Sequence, residues 1–107
     1  MGRRKPYGLE YAEEVLGHLD GIPRKHHSLI RQQIELQLRY EPETETRNRK
    51  PLLRPSLLGG VWELRCGSQN RFRVFYRVDR AQRLVYVMAV GQKIAERLVV
   101  GEEEISP

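Results

Sequence analysis

A single cysteine, Cys66, leaves the 107-residue chain without an internal disulfide and argues against a cysteine-based zinc site. No apolar run approaches the roughly 20 residues that a membrane-spanning helix needs. The basic start, Met1-Gly2-Arg3-Arg4-Lys5-Pro6, has no apolar segment behind it, so a secretory signal is not expected and a cytoplasmic protein is. Internal repeats and low-complexity tracts are missing too. Hydrophobic residues make up 39% and charged residues 31%, the balance of a folded domain rather than a disordered chain. At this length one domain over 1–107 with one core is the economical reading, with a basic tail at 1–6 and an acidic tail at 102–107. Neither a cofactor nor a metal is implied.

Charge is present, and it is unevenly placed. Nineteen Lys and Arg against 14 Asp and Glu give a formal net charge of +5. Between Glu63 and Arg83 lie Arg65, Arg71, Arg73, Arg77, Arg80 and Arg83, opposed only by Glu63 and Asp79. Arg47, Arg49, Lys50 and Arg54 form a second basic run without an acid. The acids gather at Glu41, Glu43 and Glu45 and at 102–104. Such separation steers polyanions to one side of a protein, although a solvated basic face accounts for the same pattern.

Periodicity supplies the elements. Tyr7, Leu9 and Tyr11 alternate as in a short first strand. Val15, Leu16 and Leu19 share a helical face that Asp20-Gly21 terminates. Pro23 suits the first turn of a second helix, in which Ile30, Ile34 and Leu38 recur every four residues until Glu41-Pro42. Residues 41–60 read as a long, functional connection. Three strands follow: Trp62 to Cys66, Arg71 to Asp79, and an apolar stretch from Leu84 to Val90. Gly67-Ser68-Gln69-Asn70 and Arg80-Ala81-Gln82 are their turns, and 97–101 adds a last short strand. The predicted fold is α+β: a short first strand and a helical hairpin packed on one face of a twisted antiparallel β-sheet. Alternation then puts Glu63, Arg65, Arg71, Arg73, Phe75 and Arg77 on the other face. Guanidinium forks match phosphate oxygens, and an aromatic among them can stack an unpaired base.

The run Trp62-Glu63-Leu64-Arg65, then Asn70-Arg71-Phe72-Arg73-Val74-Phe75-Tyr76, then Val90-Gly91-Gln92-Lys93 resembles the RelE/ParE superfamily of type II toxin–antitoxin toxins. Arg47 to Leu52 strengthens the likeness, which spans residues 7–101 and favours the RelE-like branch. The resemblance implies a compact toxin, neutralised by a cognate antitoxin, that either cuts mRNA on the ribosome or inhibits DNA gyrase. It assigns phosphate binding to Arg73 and Lys93, with Arg65 in support. Arg71, Arg77, Arg49, Lys50 and Arg54 are the further candidates for RNA contact.

Two departures bear on catalysis. Glu63 stands where the RelE pattern has a lysine, and Val99 where it has a tyrosine. Glu63 is a candidate base, but a cross-strand ion pair with an arginine is the simpler expectation. A binding protein without catalysis, whether a gyrase inhibitor or an antitoxin-bound homologue, therefore stays open. So does a general nucleic-acid-binding module. His18, His26 and His27 suggest no site, since adjacent helical residues point about 100° apart. Tyr76, Tyr86 and Cys66 are expected on the helix-facing side of the sheet.

Overall fold

A computed structural model describes residues 5–52 and 61–105. The chain runs β1 (Gly8–Tyr11), α1 (Glu14–Asp20), a 3-10 turn (Arg24–His26), α2 (His27–Leu38), β2 (Arg49–Pro51), β3 (Trp62–Cys66), a second 3-10 turn (Ser68–Asn70), β4 (Phe72–Asp79), β5 (Leu84–Ile94), β6 (Arg97–Val100) and β7 (Glu103–Ile105). The strands form one sheet in the order β2-β3-β4-β5-β6-β7. Every pairing on that path is antiparallel. β1 pairs in parallel with the first half of β5, Gly8 opposite Leu84 and Tyr11 opposite Val87. The α+β architecture expected from periodicity is present.

The helices cover one face. Ile30, Ile34 and Leu38 of α2, with Val15 of α1, pack on Leu64, Cys66, Phe72, Val74, Tyr76, Val85, Val87 and Val90. Removing these aliphatic and aromatic surfaces from water drives the fold. Leu16, expected on the packed face of α1, is instead 75% exposed. It flanks a groove of about 610 Å³ between α1, β1 and α2, together with Tyr11, Leu19, Ile30 and Ile34.

The connection between the helices is held by a histidine. His27 Nε2 lies 2.8 Å from both the Leu19 and the Ile22 carbonyl oxygens, so one N–H is shared between a carbonyl in the last turn of α1 and one in the turn after it. Gly21 in the same turn has a steric reason to be glycine. A Cβ there would stand 2.5 Å from the Gly101 carbonyl oxygen in the β6–β7 turn.

The expected loop over 41–60 is partly ordered into β2, where Arg49, Lys50 and Pro51 face Leu64, Glu63 and Trp62. Tyr76 anchors the segment before it. Its hydroxyl donates to the Pro42 carbonyl at 2.6 Å, and its ring stacks at 6.2 Å on Trp62. The acidic end, read as a tail, carries the edge strand β7.

Candidate nucleic-acid interface

Register fixes which side chains meet on the face away from the helices. Lys50, Glu63, Phe75 and Ala89 form one row across β2 to β5. Arg65, Arg73, Gly91 and Val100 form the next across β3 to β6. Lys93 follows on β5, opposite Leu98. The grouping of Glu63, Arg65, Arg73 and Lys93 thus follows from strand alternation and pairing alone.

Glu63 is 8% exposed, and its Oε1 accepts from Arg65 Nε at 2.7 Å and from Arg73 Nη1 at 3.5 Å. The expected cross-strand ion pair is therefore in place. Arg73 Nε donates to the Asn70 carbonyl at 3.1 Å. That carbonyl is presented by a tight turn in which Gln69 and Asn70 take φ values of 58° and 53°, a left-handed backbone. With only 12% of its side chain exposed, Arg73 is held from two sides. Its remaining surface helps line a cavity of about 150 Å³ with Lys93, Leu98, Ile105 and the pair Arg97–Glu104, whose Nε and Oε1 are 3.7 Å apart. A guanidinium so fixed, beside an exposed ammonium, can hold a phosphate oxygen in a set direction at little further ordering cost.

Other expected contacts lie elsewhere. Arg49 sits in an edge strand with its side chain on the helix side, 7% exposed. Its Nε donates to the Thr44 carbonyl at 3.0 Å and its Nη1 to the Gln37 carbonyl at 2.5 Å. It closes the carboxyl end of α2, where carbonyls lack helical partners, and does not face outward to grip RNA. Arg71 leaves the face because its backbone is helical (φ −63°, ψ −35°), which breaks the two-residue alternation. Its guanidinium lies 5.5 Å from the ring centroid of Phe72, beside which His26 packs. Arg77 is exposed on the basic face, as expected; Lys50, expected in a loop, is exposed on β2 opposite Glu63, and Arg54 falls outside the described residues.

Phe75 points to the basic face but is 3% exposed. It belongs to a second, smaller apolar cluster with Ala89 and Val100, covered by Leu52, Leu98 and Ile105. It is the floor of the face and presents no free ring to a base. Tyr86 departs from expectation in the opposite direction. Val85 and Val87 belong to the helix-side core and Tyr86 pairs with Arg77, which puts it on the basic face. The shift in register at Phe75/Tyr76, with Phe75 opposite Ala89 and Tyr76 opposite Val87, makes β5 change face within its length. A run apolar throughout gave no sign of that bulge. Val99 pairs with Gln92, whose amide donates to the Gly21 carbonyl at 3.0 Å, so its position belongs to the helix side. Among the described residues no group of His, Cys, Asp and Glu is arranged to hold a metal ion.

The helical hairpin, the sheet order and the basic far face together define a protein of RelE-like architecture. Over residues 18–100 the sequence matches the model of the phage-derived Gp49-like proteins, itself a RelE-like family, and the chain belongs to that family. It is also similar to a chain in the crystal structure of the toxin–antitoxin complex RelBE2 from Mycobacterium tuberculosis. That likeness has 25% identity and a TM-score of 0.63, and covers 82% of this chain and 99% of the other. No curated protein matches the sequence significantly.

Proposed function

We propose that this protein is the toxin of a type II toxin–antitoxin system, acting in the cytoplasm on ribosome-bound mRNA. The observation that carries the reading is Arg73, mostly buried on the sheet face and oriented by Asn70 and Glu63 toward the space it shares with Lys93. In the cleavage envisaged, the RNA 2′-hydroxyl gives its proton to water as its oxygen bonds to the neighbouring phosphorus, the bond to the 5′-oxygen breaks, and that oxygen takes up a proton from water. Arg73 stabilises the negative charge that grows on the non-bridging oxygens, and Lys93 neutralises the adjoining backbone. Arg65 reaches the phosphate only by sharing itself with Glu63. The partner is a cognate antitoxin, and the groove beside Leu16 is apolar surface that such a protein would cover. Induced expression should arrest growth and generate new mRNA ends. Arg73→Ala should abolish both in a chain that still unfolds cooperatively in urea, and Arg73→Lys, which keeps the charge beside Glu63 but loses the fork, should abolish them too. Arrest that survives Arg73→Ala refutes the phosphate role.

A second reading, a gyrase inhibitor or an antitoxin-binding homologue without catalysis, is favoured by the engagement of Glu63. A carboxylate oxygen already accepting from two guanidinium groups is poorly placed to take a hydroxyl proton. Glu63→Gln separates the two roles. A base lost from catalysis lowers cleavage by about 10²–10⁴-fold, whereas a positioning carboxylate replaced by an amide leaves most of it. Inhibition of gyrase supercoiling by the purified protein, with no mRNA cleavage, would establish the second reading.

A further inference from the structure

At the other end of β4 from Arg73, roughly 20 Å away at a strand's rise per residue, a second cavity of about 380 Å³ is lined by Lys5, Tyr7, Tyr40 and Arg83. Its chemistry is unlike that of the Arg73 site. The guanidinium of Arg83 lies 4.4 Å from the centroid of the Tyr7 ring, a stacked cation. Its Nη2 donates to the Lys5 carbonyl, while its Nε is buried with no acceptor. A buried donor left without a partner is costly, so the chain does not fully satisfy this guanidinium. The local backbone is committed to this arrangement. Arg83 itself takes φ 50°, the left-handed region, and its carbonyl accepts from the Gly8 N–H at 2.8 Å. Tyr7 is pinned on both sides, its N–H donating to the Arg39 carbonyl at 2.6 Å and its carbonyl accepting from Arg39 Nη1 at 3.2 Å.

Neighbouring cations are already paired, Arg80 with Glu43 and Arg39 with Glu35. Among the described residues no carboxylate pairs with Lys5 or Arg83. Two uncompensated cations thus share an open cavity with two aromatic rings, one of which, Tyr40, is 53% exposed. We infer that this cavity binds one unpaired nucleotide of single-stranded RNA, the base stacking on Tyr40 and the Arg83 plane and the phosphate meeting Lys5 and the Arg83 guanidinium. Planar cations and aromatic rings stack bases, and the stacking is tolerant of base identity. The site is independent of any chemistry at Arg73.

The test is a titration of the full chain with adenosine 5′-monophosphate, followed by amide chemical shifts, with adenosine and inorganic phosphate as separate arms. The monophosphate should move the amides of Tyr7, Gly8, Tyr40 and Arg83 and bind more tightly than either fragment. Tyr40→Ala, at a half-exposed position, should weaken it by about tenfold, the low end of what one base stack contributes. Arg83→Lys, which keeps the charge and loses the plane, should weaken it as well. Arg73→Ala should leave these shifts unchanged, so loss of the Arg73 function and loss of this site are told apart. Phosphate binding as tightly as the nucleotide would reduce the cavity to an anion site and overturn the inference. So would shifts confined to Arg73 and Lys93, insensitivity to Tyr40→Ala, or preferential binding of an acidic peptide.

Discussion

The two faces of the sheet share their strands and differ in what they ask of an arginine. On the helix-covered face, Arg49 is buried against the end of α2 and spends its donors on the Gln37 and Thr44 carbonyls. On the opposite face, Arg73 is nearly as enclosed, but one side of it borders an open cavity beside Lys93. Burial alone therefore does not distinguish a structural guanidinium from a ligand-binding one. In each, Nε and Nη1 are met from within the chain; the difference lies in the open cavity that borders Arg73 and not Arg49, and it can be broken experimentally from both sides.

The largest effect is expected at Arg49. Arg49→Met removes hydrogen bonds from a charged, buried donor and strands the carbonyls it serves, which should lower stability by about 2–4 kcal/mol in urea unfolding. A loss well under 1 kcal/mol would mean that water replaces the guanidinium and that the two faces are less distinct than their geometry. Next comes Cys66, on the covered face, where burial pushes the thiol up to about 11. Against the ordinary thiol value of 9.0 that leaves about a hundredfold less thiolate at neutral pH, the form that reacts. Because the folded pKa is raised, the thiol is stabilised as the neutral form, and that contribution is lost as pH rises through about 11. Iodoacetamide should label it at least that much more slowly in the native protein than in urea.

Gly21→Ala should cost about 1–3 kcal/mol, since the new methyl meets the backbone of the β6–β7 turn and not a flexible side chain. Arg97→Gln, at an exposed pair with Glu104, should change stability by less than about 1 kcal/mol and serves as the control on the open face.

Where a segment's period matched its burial, the fold was legible from residue order. Ile30, Ile34 and Leu38 announced α2, and the alternation in Trp62 to Cys66 and Phe72 to Asp79 announced the central hairpin. What escaped did so for physical reasons. β2 is three residues of Arg, Lys and Pro, with no apolar alternation to betray an edge strand. β7 is acidic and pairs through its backbone, Ile105 and the exposed Arg97–Glu104 contact, with no apolar alternation to betray it. The bulge in β5 lies within an uninterrupted apolar run, so Tyr86 was assigned to the wrong face. In the site, Glu63, Arg65 and Arg73 were brought together by alternation as expected. The enclosure of Phe75 was not, because its cover comes from Leu52, Leu98 and Ile105, which lie far apart in the chain.

The parallel pairing of β1 with β5 has a consequence in time. Gly8 cannot find Leu84, nor Tyr11 find Val87, until nearly the whole chain has been made. At ~5–20 residues per second of synthesis, the first strand waits roughly 4–15 s for its partner. Until then Arg73 has no completed sheet beneath it. A nascent chain that has not yet exposed β5 therefore lacks the pairing of Arg73 with Gly91 that sets this face.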